Sequence, residues 1–162
     1  MQKTNKMVIF KEGNIIFYER SGGVCLRNDE VLLFFFPSFN GWSLPGGRCN
    51  LLETSKEAVK REYLEEIGEE VTVKDNIIIA ENMFTEGGKD FHEILFVYLV
   101  EFEKDSNKYK VDEFYATEGE EKMLCKWFKL NELKDINLKP EFLKTELSQI
   151  SKHTKHIVYR DN

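Results

Sequence analysis

The sequence predicts an α/β fold: a mixed β-sheet with one helix inserted after its third strand and another at its end. Three observations predict it. Two apolar, β-rich runs at 15–27 and 31–36 are joined by the tight turn Asn28-Asp29. A helix with signals at both ends occupies 55–67, and strand-like runs then return before an amphipathic stretch at 140–151. Strand and helix alternate without repeats or low-complexity linkers, as in layered α/β domains. At 162 residues the chain suits one domain, 1–162, and is too short to expect two.

Each element follows in order. Pro37-Ser38-Phe39-Asn40-Gly41 is a loop, and 42–44 a short strand before the glycine turn Gly46-Gly47. Thr54 and Glu57 stand in capping-box spacing, which satisfies early backbone N–H groups at the helix start. Good helix formers fill the run, and Gly68 is placed for the left-handed residue that stops it. Runs 71–73 and 77–84 read as strands, Glu86-Gly87-Gly88-Lys89 as a turn, and 91–102 as another long strand. Residues 104–121 are charged and irregular, hence expected to be a mobile surface loop. A strand at 122–130 follows, then a helix at 140–151 with Phe142, Leu143, Leu147 and Ile150 on its apolar stripe.

Composition narrows the class of function. With 41% apolar and 13% aromatic residues the chain is an ordinary globular protein. No apolar run approaches the ~20 residues of a membrane helix, and Met-Gln-Lys-Thr-Asn-Lys at the N-terminus lacks a secretory stretch. A cytoplasmic protein without a membrane partner is expected. Cys25, Cys49 and Cys125 have no metal-ligand spacing and read as reduced thiols, with Cys49 expected in an exposed, oxidisable loop. A net charge of −6 without a basic stripe disfavours long nucleic acid, although a small anion can still be met by a metal and a few local cations.

The chemistry concentrates between Gly46 and Gly68. On an α-helix each residue advances about 100°, so Glu62, Glu65 and Glu66 fall at roughly 0°, 300° and 40° and share one face. Their mutual repulsion on an exposed helix is only roughly 0.2–0.5 kcal/mol per pair and decides nothing. What matters is supply: carboxylates beside a bend of free backbone carbonyls are the oxygen ligands hard divalent ions prefer.

The segment resembles the Nudix box, Gly-x5-Glu-x7-Arg-Glu-U-x-Glu-Glu-x-Gly-U with U a bulky apolar residue. Gly47, Glu53, Arg61, Glu62, Glu65, Glu66 and Gly68 fall on it in register. Tyr63 and Glu69 depart from it, an aromatic and a charge at U positions, so Val71 or Val73 is expected to supply the apolar contact that Glu69 cannot. More loosely, Trp42-Ser43-Leu44-Pro45-Gly46-Gly47 resembles the family's lead-in, Ser21-Gly22-Gly23-Val24-Cys25-Leu26 its first core strand, and Trp127-Phe128-x-Leu130 its last.

The resemblance implies an α/β/α sandwich with the mixed sheet between helices, and a pyrophosphohydrolase that splits a nucleoside diphosphate linked to some group X. It implies Mg2+, or Mn2+ in its place, with Glu62 and Glu66 as principal ligands, Glu65 a further ligand or the water-orienting base, and Gly47 a ligand through its carbonyl. Arg61 and Glu53 would pair to fix loop to helix. A further acid is expected from Glu118, Glu120 or Glu121. Apart from the resemblance, Arg48, Arg27 and Lys89 are candidate phosphate contacts and Trp42, Phe39 and Phe84 candidate stacking partners for a base, against the commoner readings of solvated cations and core aromatics; His92 reads as structural. The partner is a small nucleotide, and pairing of two copies through the strand-rich N-terminus is compatible with the sequence. A non-catalytic nucleotide-sensing or partner-binding module is the alternative, and the intact glutamates argue against it.

Overall fold

The structure, a computed structural model, describes residues 4–118 and 121–161, and the side chains of these except at 117, 118 and 121. Strands β1 (Ile9–Glu12), β2 (Ile15–Arg27), β3 (Glu30–Phe36), β4 (Gly41–Ser43) and β5 (Gly46–Arg48) come first. Helix α1 (Ser55–Glu62) follows, then β6 (Thr72–Glu86) and β7 (Lys89–Glu101) as a long hairpin. Strands β8 (Glu113–Glu118) and β9 (Glu121–Lys129), a short helix α2 (Leu143–Glu146) and β10 (Lys155–Arg160) complete the chain. The sheet runs β10-β6-β7-β2-β3-β9-β8, with β1 and β5 on β2 and β4 on β3. It is mixed: β2 runs parallel to β7 and β10 parallel to β6, while the other pairings are antiparallel.

Both faces of the central strands are covered, which is why β3 is a continuous apolar run rather than an alternating one. Val31 and Leu33 point into a cluster with Phe142, Leu143 and Leu147 near α2. Leu32 and Phe34 point the other way, against Val59, Tyr63 and Ile67 of the first helical segment. The result is the sheet-between-helices arrangement expected.

The helix at 55–67 forms as its end signals require. Thr54 accepts from Glu57 N at 3.2 Å, and the Glu57 carboxylate accepts from Thr54 N at 2.9 Å. Gly68 closes the helix with φ 75° and its N–H on Leu64 O. The last turn, Tyr63–Ile67, is a wider π turn rather than α. Tyr63, the aromatic departure in the motif, is fully buried: its ring lies over Gly23, and its hydroxyl donates to Gly23 O at 3.1 Å. A Cβ on Gly23 would stand 2.6 Å from the Tyr63 ring, so the bare glycine makes room for the larger side chain. Val71 is buried in the same cluster and supplies the contact Glu69 cannot.

Several expectations are corrected. Of the expected mobile loop at 104–121, residues 119 and 120 lie outside the described residues, and 104–118 hold a 3-10 turn, Asn107–Lys110, and β8 instead, with Tyr109 packed on Phe102 and Trp127. The runs 71–73 and 77–84 form one strand with register shifts between Val73 and Ile78. The helix at 140–151 shrinks to α2 and a 3-10 turn, Leu147–Gln149. Strand β10, which the sequence reading does not place, lies along β6 with Ile157 and Tyr159 turned inward between exposed residues. Cys49 is not exposed; it is fully buried, its N–H on Glu19 O and its carbonyl accepting from Val8 N.

Gly23→Ala is expected to lower stability by about 1–3 kcal/mol in urea denaturation, as overpacked cores do. Tyr63→Leu, which vacates the ring's place, should recover most of that loss in the double variant. Strictly additive losses would show that the ring and the glycine are not coupled.

Candidate active site

Strand β5 carries the glycine turn onto β2, where Ser21 pairs with Gly47 and Gly22 with Gly46. The approach is too close for side chains: at φ 136° a Cβ on Gly46 would run into Ser21 O and Gly22 Cα, and one on Gly47 would overlap the Glu62 carboxylate. Arg20 braces this turn from below, its Nη2 donating to Leu44 O at 3.1 Å.

Arg61 ties the turn to the helix. Its Nε and Nη2 donate to the two oxygens of Glu53 at 2.8 and 2.9 Å, a bidentate pair. Nη1 reaches Glu62 at 2.6 Å and Glu65 at 3.0 Å, and Nη2 also reaches Arg48 O at 3.1 Å. Glu53 in turn accepts from Asn50 N at 2.9 Å. The Glu53 side chain is only 8% exposed, so two parallel hydrogen bonds offset a desolvation it would otherwise bear alone. The Glu53 hydrogen bonds are also the largest influence holding the Arg61 guanidinium charged, well above its ordinary pKa.

The three motif glutamates are not equivalent. Glu66 is buried at 5% exposure, while the Glu65 side chain is 58% exposed and that of Glu62 14%. The π turn is the physical reason. Its wider i→i+5 loop advances each residue less than an α turn does, so Glu66 stays near the azimuth of Glu62 and Glu65 swings outward. Burial is the main influence on Glu62 and raises its carboxyl pKa, with Arg61 pulling the other way.

These groups line one end of a cleft of about 700 Å3. Gly47, Glu62, Glu65 and Glu66 stand there, with Arg20, Arg48 and Arg61 beside them. Aromatic rings line the cleft too: Phe36 stacked on Phe39, and Phe84, itself stacked on Phe91. Among the described residues no three His, Cys, Asp or Glu side chains are already converged on a point where a metal ion would sit. The donor set is nevertheless of the right kind, all oxygen, with a bare glycine backbone against one carboxylate.

A family model of the NUDIX domain matches residues 18–147. The chain belongs to the Nudix family. Solved structures of similar fold include an ADP-ribose pyrophosphatase from Streptococcus suis, at 20% identity and a TM-score of 0.53 over 88% of this chain and 98% of that one. A MutT protein from Bacillus halodurans is 21% identical with a TM-score of 0.60, covering 88% and 89%. A UDP-X diphosphatase is 16% identical, again at 0.60, covering 86% of this chain and 66% of its own. No curated protein matches the sequence.

The structure thus brings Gly47, Arg61, Glu62, Glu65 and Glu66 to one cleft, with Glu53 held on Arg61 behind them, together with Arg48, Phe39 and Phe84. Trp42 does not join them: its indole packs at 4.6 Å from Phe128 and 5.2 Å from Phe35, against the core, because its position on β4 faces away from the cleft. Arg27 is likewise spent elsewhere, on Glu30 and the carbonyls of Tyr109 and Val111, and Lys89 sits in the β6–β7 turn. His92 packs edge-on against Phe17. Glu120 and the side chains of Glu118 and Glu121 lie outside the described residues. Cleft residues that sequence reasoning missed are Tyr18, Arg20, Asn82, Glu93 and Tyr159. Period-2 alternation put Tyr18 and Arg20 on one face of their strand, but nothing in the sequence said which face.

Arg61→Lys is expected to cost about 2 kcal/mol or more in urea denaturation, since one ammonium cannot reproduce a fork shared among several acceptors. An unchanged midpoint would mean the fork does not hold loop to helix.

Proposed function

We propose that the chain is a Mg2+-dependent pyrophosphohydrolase, with Mn2+ able to substitute, acting in the cytoplasm on a nucleoside diphosphate linked to X. The observation that carries this reading is the placement of Glu62, Glu66 and the bare Gly47 backbone at one end of a cleft large enough for a nucleotide. Glu62, Glu66 and the Gly47 carbonyl would hold the ion, which would neutralise phosphate oxygens and make water a better nucleophile.

The chain's own groups do the rest. Arg48, exposed at the cleft rim with its guanidinium 4.9 Å above the Tyr18 ring, is free to turn toward a phosphate. Phe84 and Phe39 offer aromatic faces within the cleft on which a base would stack. Glu65, the most exposed of the three acids, takes the proton as water adds to phosphorus. The bond between that phosphorus and the bridging oxygen breaks, and nucleotide and phosphorylated X leave. Arg61 keeps Glu65 oriented for this step, and Glu53 keeps Arg61 in place.

Product release from a panel of nucleoside triphosphates, nucleotide sugars and dinucleoside polyphosphates, with Mg2+ and with chelator, tests the reading. Turnover is expected with Mg2+ only. Glu66→Gln should lower kcat by at least about 10²-fold, the low end for a positioned acid–base or ligand group, with an unchanged circular dichroism melt. A fully active Glu66→Gln protein would remove the role assigned to that residue.

A further inference from the structure

One row of side chains crosses the floor of the cleft at right angles to the strands. Tyr18 on β2 pairs with Glu93 on β7, Glu93 with Asn82 on β6, and Asn82 with Tyr159 on β10. All four residues line the cleft. Polar groups in the middle of a sheet need a reason: Asn82 is 3% and Glu93 2% exposed.

Their hydrogen bonds fix what the row presents. Asn82 Nδ2 donates to Glu93 Oε2 at 2.8 Å. The amide thus turns its NH2 to Glu93 and its oxygen the other way. That oxygen, Asn82 Oδ1, is buried with no protein partner. On the other side Tyr18 keeps its proton, first because of burial and then because of the Glu93 carboxylate beside it. The middle of the floor is therefore rich in acceptors, and one of them lacks a donor.

We propose that Asn82 and Glu93 read the edge of the nucleobase and select a guanine-type base, whose ring N–H and exocyclic amino group are adjacent donors. The inference rests on the nucleotide-hydrolase reading above and names its substrate class. Adenine sets a ring acceptor beside its amino group, so a lone pair would face an acceptor oxygen; a pyrimidine with one N–H flanked by carbonyls does worse. Placement favours the base over the ribose. Ser21, opposite Gly47, and Tyr18 are three residues apart on one strand, ~10 Å, about the reach from a diphosphate across its sugar. The next row beyond is Phe91 paired with Phe84, a stacked aromatic pair suited to a planar ring.

The test is equilibrium binding of GDP, IDP, ADP and 2′-deoxy-GDP by calorimetry, alongside hydrolysis of the matching triphosphates. IDP lacks only the exocyclic amino group. The wild-type protein should bind GDP at least about tenfold tighter than IDP, and ADP more weakly still, as expected of a site built around a donor. Glu93→Gln should bring the GDP-to-IDP ratio below about threefold, a ratio that a general loss of stability would not move. If Glu93→Gln does not fold, the wild-type ratio alone decides. Equal affinity for GDP, IDP and ADP overturns the proposal, as does a loss confined to 2′-deoxy-GDP, which would assign the acceptors to the ribose. Guanine preference in binding without turnover would sink the hydrolase reading and leave this one standing; turnover without base preference does the reverse.

Discussion

The site depends on one guanidinium. Arg61 sits among Glu53, Glu62 and Glu65 and also holds the carbonyl of Arg48, so the glycine turn, the loop to the helix and the helix itself meet on its five N–H donors. Without it Glu53 and Glu62 would be nearly buried carboxylates facing like charge, a cost no packing could offset. The same cation makes the acid cluster tolerable during folding and keeps it assembled at the cleft. A lysine would supply the charge without the planar fork, which is why charge alone does not account for the residue.

What surrounds Arg61 is arranged by β2. This strand pairs with β1, β3, β5 and β7, and the last two pairings bring Gly46, Gly47, Arg48 and Glu93 beside Tyr18 and Arg20 in the cleft. Close contact of β5 with β2 demands glycine on the turn, and Arg20 anchors the carbonyls of that turn from the same strand. Further along, Gly23 yields its side-chain space to Tyr63. A single strand thus positions the glycine turn on one stretch and the back of the glutamate helix on the next, so the two halves of the motif share a rigid reference.

Local signals were legible and non-local ones were not. The capping box at Thr54 and Glu57, the stop at Gly68 and the spacing from Gly47 to Glu66 are written within one helix and its approach, and the structure has them as the sequence implies. The π turn that separates Glu65 from Glu66 was not legible, because Tyr63–Ile67 contains good α-formers and the wider turn follows from seating Tyr63 over Gly23. Strand β8 hid behind its charges. It is an edge strand with a glutamate at each end, where charge discourages further pairing, and only the partner β9 makes it a strand. Strand β10 is the opposite edge and was masked in the same way. Trp42 illustrates the limit for side chains: an aromatic beside a glycine turn can face cleft or core, and the choice belongs to β3 and β4 pairing, with Phe35 opposite it.

The two kinds of chemistry in the cleft have different origins for the same reason. The glutamates and the arginine of the Nudix box come from residues 47–66, where helix geometry spaces them, so a single sequence exposes them. The polar floor comes from positions 18, 82, 93 and 159, which share a face only because four strands are in a particular register. Register on β6 is set upstream, where shifts between Val73 and Ile78 break the ladder and Asn76 closes the gap, its Nδ2 on the carbonyls of Ile78 and Val97. A slip of one residue there would turn Asn82 away from Glu93 and bring Met83 to the floor. The register that brings Asn82 to Glu93 is thereby fixed by an irregularity remote from the Nudix box, and so the box can stay constant while the floor changes.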